Sequence, residues 1–185
     1  MNIINNQSFE NKNSLERAEY NECKFINCDL NEQVIANFSF SECEFDNCNL
    51  SNSKIDNSSF KQVKFLDCKL MGINFESVNS FLLKVKFENC QLSYSSFYKL
   101  KIPKTKFINC LMMDVDFTEA NLTQAWFKDC ELANTVFDNT NLEKANFTTA
   151  SNYSIHPIAN NIKKANFSQE GIAGLLDSFD IVISQ

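Results

Sequence analysis

Large apolar residues recur every five positions along most of this chain. Phe25, Leu30, Ile35, Phe40, Phe45, Leu50, Ile55, Phe60, Phe65, Leu70 and Phe75 form one unbroken series. Phe87, Leu92, Phe97, Ile102, Phe107, Met112, Phe117, Leu122, Phe127, Leu132, Phe137, Leu142 and Phe147 form a second, shifted by two residues. The shift falls within Glu76–Val85. Another track, two residues earlier, carries mostly small side chains and holds all eight Cys.

A period of five suits neither standard element. On an α-helix, five residues advance about 500°, which scatters the Phe around the cylinder. On a flat strand, five is odd, so successive Phe face opposite sides. The pattern closes only if the chain turns a corner at every repeat. Each central residue then points at a common axis, the small residue two before it also points inward, and the other three face water.

A longer period counts the corners. Lys24-Phe25, Glu44-Phe45, Lys64-Phe65, Lys86-Phe87, Lys106-Phe107 and Trp126-Phe127 recur at i, i+20, or at i, i+22 across the break. That spacing is four pentapeptides, so each coil is a square. Roughly seven coils fit between Lys24 and Ala165, a column of about 35 Å at the usual strand spacing. The expected fold is an all-β solenoid in a single domain, residues 1–185. Residues 1–23 form an N-terminal cap and 24–167 the coils, with a register break within 76–85. Residues 168–185 supply a helix and a strand.

Solenoids need their ends closed. Ser168 suits a helix N-cap, with Gln169 and Glu170 in the first turn. Ile172, Leu175, Leu176 and Phe179 follow at helical spacing. Ile181, Val182 and Ile183 are a short β-prone run. Leu175, Leu176, Phe179, Ile181, Val182 and Ile183 are the candidate interface for a second copy.

Composition narrows the function classes. Three Gly and two Pro in 185 residues argue against many tight hairpins. The net charge of −6 disfavours direct binding to nucleic acid or an anionic membrane. No apolar run is long enough to span a bilayer. The start, Met1 to Ser14, lacks the basic and apolar regions of a signal peptide, which points to the cytoplasm and to reduced thiols. The charge is unevenly spread: residues 1–85 hold 12 acids and eight bases, and residues 86–185 hold 11 and nine. Asp56, Glu76, Asp116, Glu119 and Asp138 fall on one face if the break is a local bulge, interrupted by a basic patch at Lys99, Lys101, Lys104 and Lys106.

Catalytic chemistry finds no foothold. A straight ladder of Cys does not converge as zinc requires, so the thiols read as core filler and no metal or cofactor is expected. The Asn and Asp before Cys28, Cys48, Cys68, Cys90, Cys110 and Cys130 read as corner residues that bond nearby backbone. His156 is the only His and has no visible catalytic partners. No phosphate loop or nucleophile motif is present.

The repeat itself resembles the pentapeptide-repeat family, whose motif is a small residue, any residue, then Leu or Phe and two more. Ala120-Asn121-Leu122, Ala145-Asn146-Phe147 and Ala165-Asn166-Phe167 match it closely. The Ile-Ile start, His156-Pro157, Lys163 to Phe167, Gly174-Leu175-Leu176 and Asp180 to Ile183 are similar to the Qnr- and MfpA-type quinolone-resistance group. That resemblance implies a right-handed quadrilateral β-helix and a homodimer joined through the C-termini. It also implies a DNA mimic that binds type II topoisomerases such as DNA gyrase. A scaffold or interaction module with a different partner remains the alternative.

Overall fold

The computed structural model describes residues 1–179 together with 181 and 182. Thirteen short strands carry the column: β1 (Asn2–Asn5), β2 (Ser8–Glu10), β3 (Ala18–Asn21), β4 (Lys24–Ile26), β5 (Ser39–Ser41), β6 (Glu44–Asp46), β7 (Ser59–Lys61), β8 (Val63–Leu66), β9 (Val85–Glu88), β10 (Lys106–Ile108), β11 (Trp126–Lys128), β12 (Asn146–Phe147) and β13 (Asn166–Phe167). They are short because a corner interrupts the chain at every pentapeptide. Each strand pairs in parallel with the strand one coil away, as in Lys106↔Trp126 and Phe107↔Phe127. The fold is the expected right-handed quadrilateral β-helix, the hand that parallel crossovers take.

Four walls result. The first carries β1, β3, β5 and β7 in one sheet and continues through Ile102, Leu122 and Leu142. The second is a continuous nine-stranded sheet from β2 to β13. The third and fourth, centred on Leu30 to Leu132 and on Ile35 to Phe137, are held by single bridges such as Gln91↔Leu111 and Ser96↔Asp116.

Inside, the central residues stack coil on coil. Rings on the second wall sit 4.5 to 5.4 Å apart from Phe9 through Phe25, Phe45, Phe65, Phe87, Phe107, Phe127 and Phe147 to Phe167. Across the axis they meet the fourth wall edge-on, as Phe107 meets Phe117 at 73°. These are the geometries that aromatic pairs prefer. The small track does more than fill space. Cys43, Cys48, Cys68 and Cys90 donate their thiols to the carbonyls of Tyr20, Phe25, Phe45 and Phe65 one coil back. Ser53 and Thr140 do the same with hydroxyls, to Leu30 and Phe117.

The corners follow from one backbone choice. Twenty-seven non-glycine residues have φ between 50° and 63°, nearly always two after a central residue, and twelve of them are Asn. Many corners close as turns in which the next small residue donates to the central carbonyl, as Ser53 does to Leu50 and Ala125 to Leu122. A left-handed residue at that place is the mark of a type II turn, and Asn tolerates it best after Gly. The residues before the Cys bond one another rather than nearby backbone. Asn47 donates to Asn27 at 2.8 Å, Asn89 to Asp67 at 3.0 Å and Asn109 to Asn89 at 2.9 Å. In the left-handed conformation their side chains lie over those of the adjoining coils. The local backbone bonds belong to other residues: Asn49, Asp116, Asn121 and Asn141 each accept from the amide two residues on.

Three places depart from the regular repeat. The chain enters the wall at Asn2, and residues 1–23 already carry β1, β2 and β3. Asn2↔Ala18 and Ser8↔Lys24 pair at i, i+16 rather than i, i+20, which makes the first coil about one side short. At the break, Asn79 still pairs with Ser59 at the regular spacing, whereas Val85 pairs with Val63 at i, i+22. The two extra residues therefore lie between Asn79 and Val85. Ser80 falls in the central slot yet stays exposed, and Leu83 packs against the core in its stead. The expected C-terminal helix is present as two 3-10 turns, Glu170–Leu175 and Asp177–Phe179. The N-cap of the first is Gln169 rather than Ser168, whose Oγ accepts from the Gly171 amide at 3.0 Å. An added Cβ would collide with the Tyr153 hydroxyl at Gly171 and with the Tyr153 carbonyl oxygen at Gly174. Ile181 and Val182 adopt no regular structure, and Ile183 lies outside the described residues.

Replacing Phe107 by Ala removes a ring that touches Phe87, Phe97, Phe117 and Phe127. Chemical denaturation should show a loss of about 3–5 kcal/mol. Lys106→Ala, on the outside of the same rung, should change stability by less than about 0.5 kcal/mol.

Candidate protein-interaction surface

The column offers walls rather than a cleft. Four of the candidate acidic residues, Asp56, Glu76, Asp116 and Asp138, stand on the fourth wall. Asp56, Glu76 and Asp138 follow Ile55, Phe75 and Phe137 and share a column, with Tyr98 and Thr118 on the rungs between. Asp116 precedes Phe117, with Ser96 and Val136 on either side of it along the wall. Glu119 occupies the neighbouring corner next to Lys99. Asp56, Glu76, Glu119 and Asp138 are exposed and Asp116 is half-buried.

Local bonds hold several of these carboxylates. Glu76 accepts from Asn74 Nδ2 and Ser96 Oγ, each at 3.2 Å. Asp116 accepts from the Thr118 amide at 2.8 Å. Glu119 takes the Tyr98 hydroxyl at 3.3 Å and pairs with Lys99 Nζ at 3.5 Å. Lys99 Nζ also sits 4.7 Å from the Tyr98 ring. The acidic wall is thus divided into two clusters by one tethered cation.

The other candidates fall into place as structure. His156 Nδ1 accepts from the amides of Ile158 and Ala159 at 3.2 and 3.3 Å, which caps a turn beneath the last coil. All eight Cys are buried and free. Burial first of all raises the Cys43 thiol to about 11. Hydrogen bonds to Cys48 and to Cys110, and then burial, push Cys68 and Cys90 far above the ordinary thiol range. Such thiols are poor nucleophiles and poor metal ligands. Among the described residues no group of His, Cys, Asp or Glu is placed to hold a metal ion, and no helix is long and apolar enough to cross a membrane.

At the C-terminal end, Leu175 and Leu176 are half-buried, and Leu175 packs against the core. Ile172, Phe179, Ile181 and Val182 remain exposed, Val182 at 93%. Sequence reasoning missed the exposed pair Phe81 and Leu82 in the bulge between Asn79 and Val85. The signal was available in the polar Ser80 standing where the repeat calls for a large apolar residue.

The square coil, the pentapeptide spacing and the small inward track define a class. A family model described as the pentapeptide repeat region matches residues 38–107 and 80–167, and this chain belongs to that family. Among solved structures it is similar to two trypsin-treated variants of QnrB1, a plasmid-mediated fluoroquinolone resistance protein. One is 14% identical with a TM-score of 0.66, covering 99% of this chain and 98% of that one. The other is 15% identical with a TM-score of 0.65, covering 100% and 99%. Full-length QnrB1 gives a TM-score of 0.57 at 14% identity, covering 97% and 100%. At such identities the likeness shows the fold. No curated protein matches the sequence.

The thiols make a direct prediction. At pH 8 the native protein should resist alkylation by iodoacetamide, while the guanidinium-unfolded chain reacts at all eight positions. The folded value for Cys43 is raised from 9.0 to about 11, so folding holds its proton. Its contribution to stability is intact below about pH 9 and is lost as pH rises from 9 towards 11. Denaturation midpoints measured from pH 8 to 11 should fall across that window.

Proposed function

We propose that this protein is a non-catalytic rod that recognises a protein partner through its outer walls. The partner is a type II topoisomerase, DNA gyrase or topoisomerase IV. The observation that carries this reading is the fourth wall with its neighbouring corner, where Asp56, Glu76, Asp116, Glu119 and Asp138 stand on one side of a straight column. Its rungs are about 4.8 Å apart. Carboxylates fixed on a rigid ladder can stand in for the phosphates of duplex DNA, so the rod takes the place of nucleic acid and does not bind it. The end-to-end likeness in fold to QnrB1, a fluoroquinolone resistance protein, is in keeping with this reading. The consequence in the cytoplasm is fewer quinolone-trapped complexes and quinolone tolerance.

The rod works as a homodimer joined at the C-terminal end. Ile172, Phe179, Ile181 and Val182 are exposed there, beside the half-buried Leu175 and Leu176, and a second copy would cover them. Joined in this way, two columns double the acidic wall.

A second reading, a scaffold for a different protein, draws on the Lys99–Glu119 pair and the lysines beside it. They break the negative field that a topoisomerase's DNA-binding channel would meet.

A gyrase supercoiling assay with ciprofloxacin separates the two. Rising protein at micromolar concentration should relieve cleavage-complex formation and then inhibit supercoiling, and Glu76→Lys with Asp138→Lys should weaken both effects by about tenfold. No effect at these concentrations would leave the scaffold reading. Light scattering tests the dimer. The native chain should weigh twice 21.2 kDa, and Phe179→Lys with Ile181→Lys should return it to the single mass. A native monomer would overturn the end-to-end arrangement.

A further inference from the structure

The break in the first wall leaves features that the repeat does not need. Phe81 and Leu82 stand side by side on the bulge, 68% and 64% exposed. Lys61 Nζ lies 6.0 Å from the Phe81 ring. Beneath the bulge is a notch of about 460 Å³ whose apolar surface comes from Leu82, Leu83, Val85 and Pro103 and from lysine stems.

The backbone is open at the same place. One coil further on, the Asn121 amide donates to Leu100 and the carbonyls of Asn121 and Thr123 accept from Ile102 and Lys104. The matching groups on the rung facing the bulge are the Lys101 amide and the carbonyls of Lys101 and Pro103. Among the described residues none of these three has a backbone partner in the bulge. The two inserted residues carry the chain away from them, so the sheet of β1, β3, β5 and β7 stops here while the second wall runs on unbroken.

Charge gathers around this opening. Five lysines are ion-paired among the described residues: Lys24 and Lys64 with Glu44, Lys86 with Glu88, Lys99 with Glu119 and Lys144 with Glu143. Lys61, Lys84, Lys101, Lys104 and Lys106 make no ion pair among the described residues. A cluster of unneutralised cations on a chain of net charge −6 is a local reversal of sign.

We propose that the bulge and its notch are a docking site for an acidic, extended segment of a partner protein that carries a large apolar side chain. The apolar side chain enters the notch beside Leu83 and Pro103, and Phe81 and Leu82 close over it. Carboxylates of the segment meet Lys84, Lys104 and Lys106. Its backbone bonds the open edge at Lys101 and Pro103, in the way that extended peptides add to a free sheet edge. Two exposed apolar side chains over an apolar notch favour such a segment over a nucleic-acid backbone, which would use the lysines alone. The inference does not depend on the topoisomerase reading, because it concerns another wall and the opposite charge.

The test is fluorescence anisotropy on the full chain at low salt with a fluorescein-labelled peptide alternating Glu with Leu. Binding is expected with a dissociation constant of about 10–100 µM, or roughly −6.8 to −5.5 kcal/mol. Phe81→Ser with Leu82→Ser, and separately Lys84→Glu with Lys104→Glu, should each weaken it at least tenfold. All four side chains are exposed, so melting curves should not move. Lys144→Glu, on a distant coil, should leave binding unchanged. Labelled polyglutamate should bind more weakly than the peptide. Equal binding by the Phe81/Leu82 variant, an equal loss with Lys144→Glu, or tighter binding of a single-stranded oligonucleotide than of the peptide would each overturn the proposal.

Discussion

Everything in this molecule depends on each coil lying directly over the one before it. The backbone bonds of a rung run to the adjoining coils, and the inward ring of a rung rests on theirs. Within a single coil only the turn bonds at the corners and the edge-on ring contacts across the axis remain. Phe107 has no aromatic neighbour in its own pentapeptide, but Phe87 and Phe127 lie 5.3 and 5.1 Å away along the wall. Stability is therefore a sum over neighbouring coils, and a defect is felt mainly by the coils beside it.

That constraint explains the choice of small inward residue. A coil can stack only if the second inward position is small and if its polar atom finds a partner. Cys, Ser and Thr meet both needs by donating to the central carbonyl one coil back. The same packing raises the Cys43 thiol by burial, and the Cys68 and Cys90 thiols by hydrogen bonds to neighbouring Cys together with burial.

It also explains where the column can be interrupted. Before the break the aromatics occupy the first and second walls: Tyr20, Phe40 and Phe60 beside Phe25, Phe45 and Phe65. After it they occupy the second and fourth: Phe97, Phe117 and Phe137 face Phe87, Phe107 and Phe127. The four successive slots from Phe60 to Phe75 hold three Phe. Close-packed interiors admit little additional volume, so the next slot carries Ser80 and the chain bows outward. The bulge that displays Phe81 and Leu82 lies where the core changes its aromatic pattern. A surface feature is placed here by a packing adjustment beneath it.

Most of the fold was legible in the sequence because the repeat specifies the inside. The period of five, its fourfold multiple and the small track together determine a square column and the burial of nearly every central residue. The left-handed corners were not legible, because Glu, Lys, Gln and Tyr share those positions with Asn and no single residue type marks them. The shortened first coil was hidden for a similar reason: Ile4, Phe9, Leu15 and Tyr20 lose the period while keeping the pairing. The acidic wall could be listed from the sequence, yet its division by the Lys99–Glu119 pair needed side chains in place. What the sequence determined by itself is which side chains point inward, since burial follows a strict period. What only the tertiary structure decided is which outward side chains meet, since neighbours on a wall come from successive coils, far apart along the chain, and are chosen by stacking.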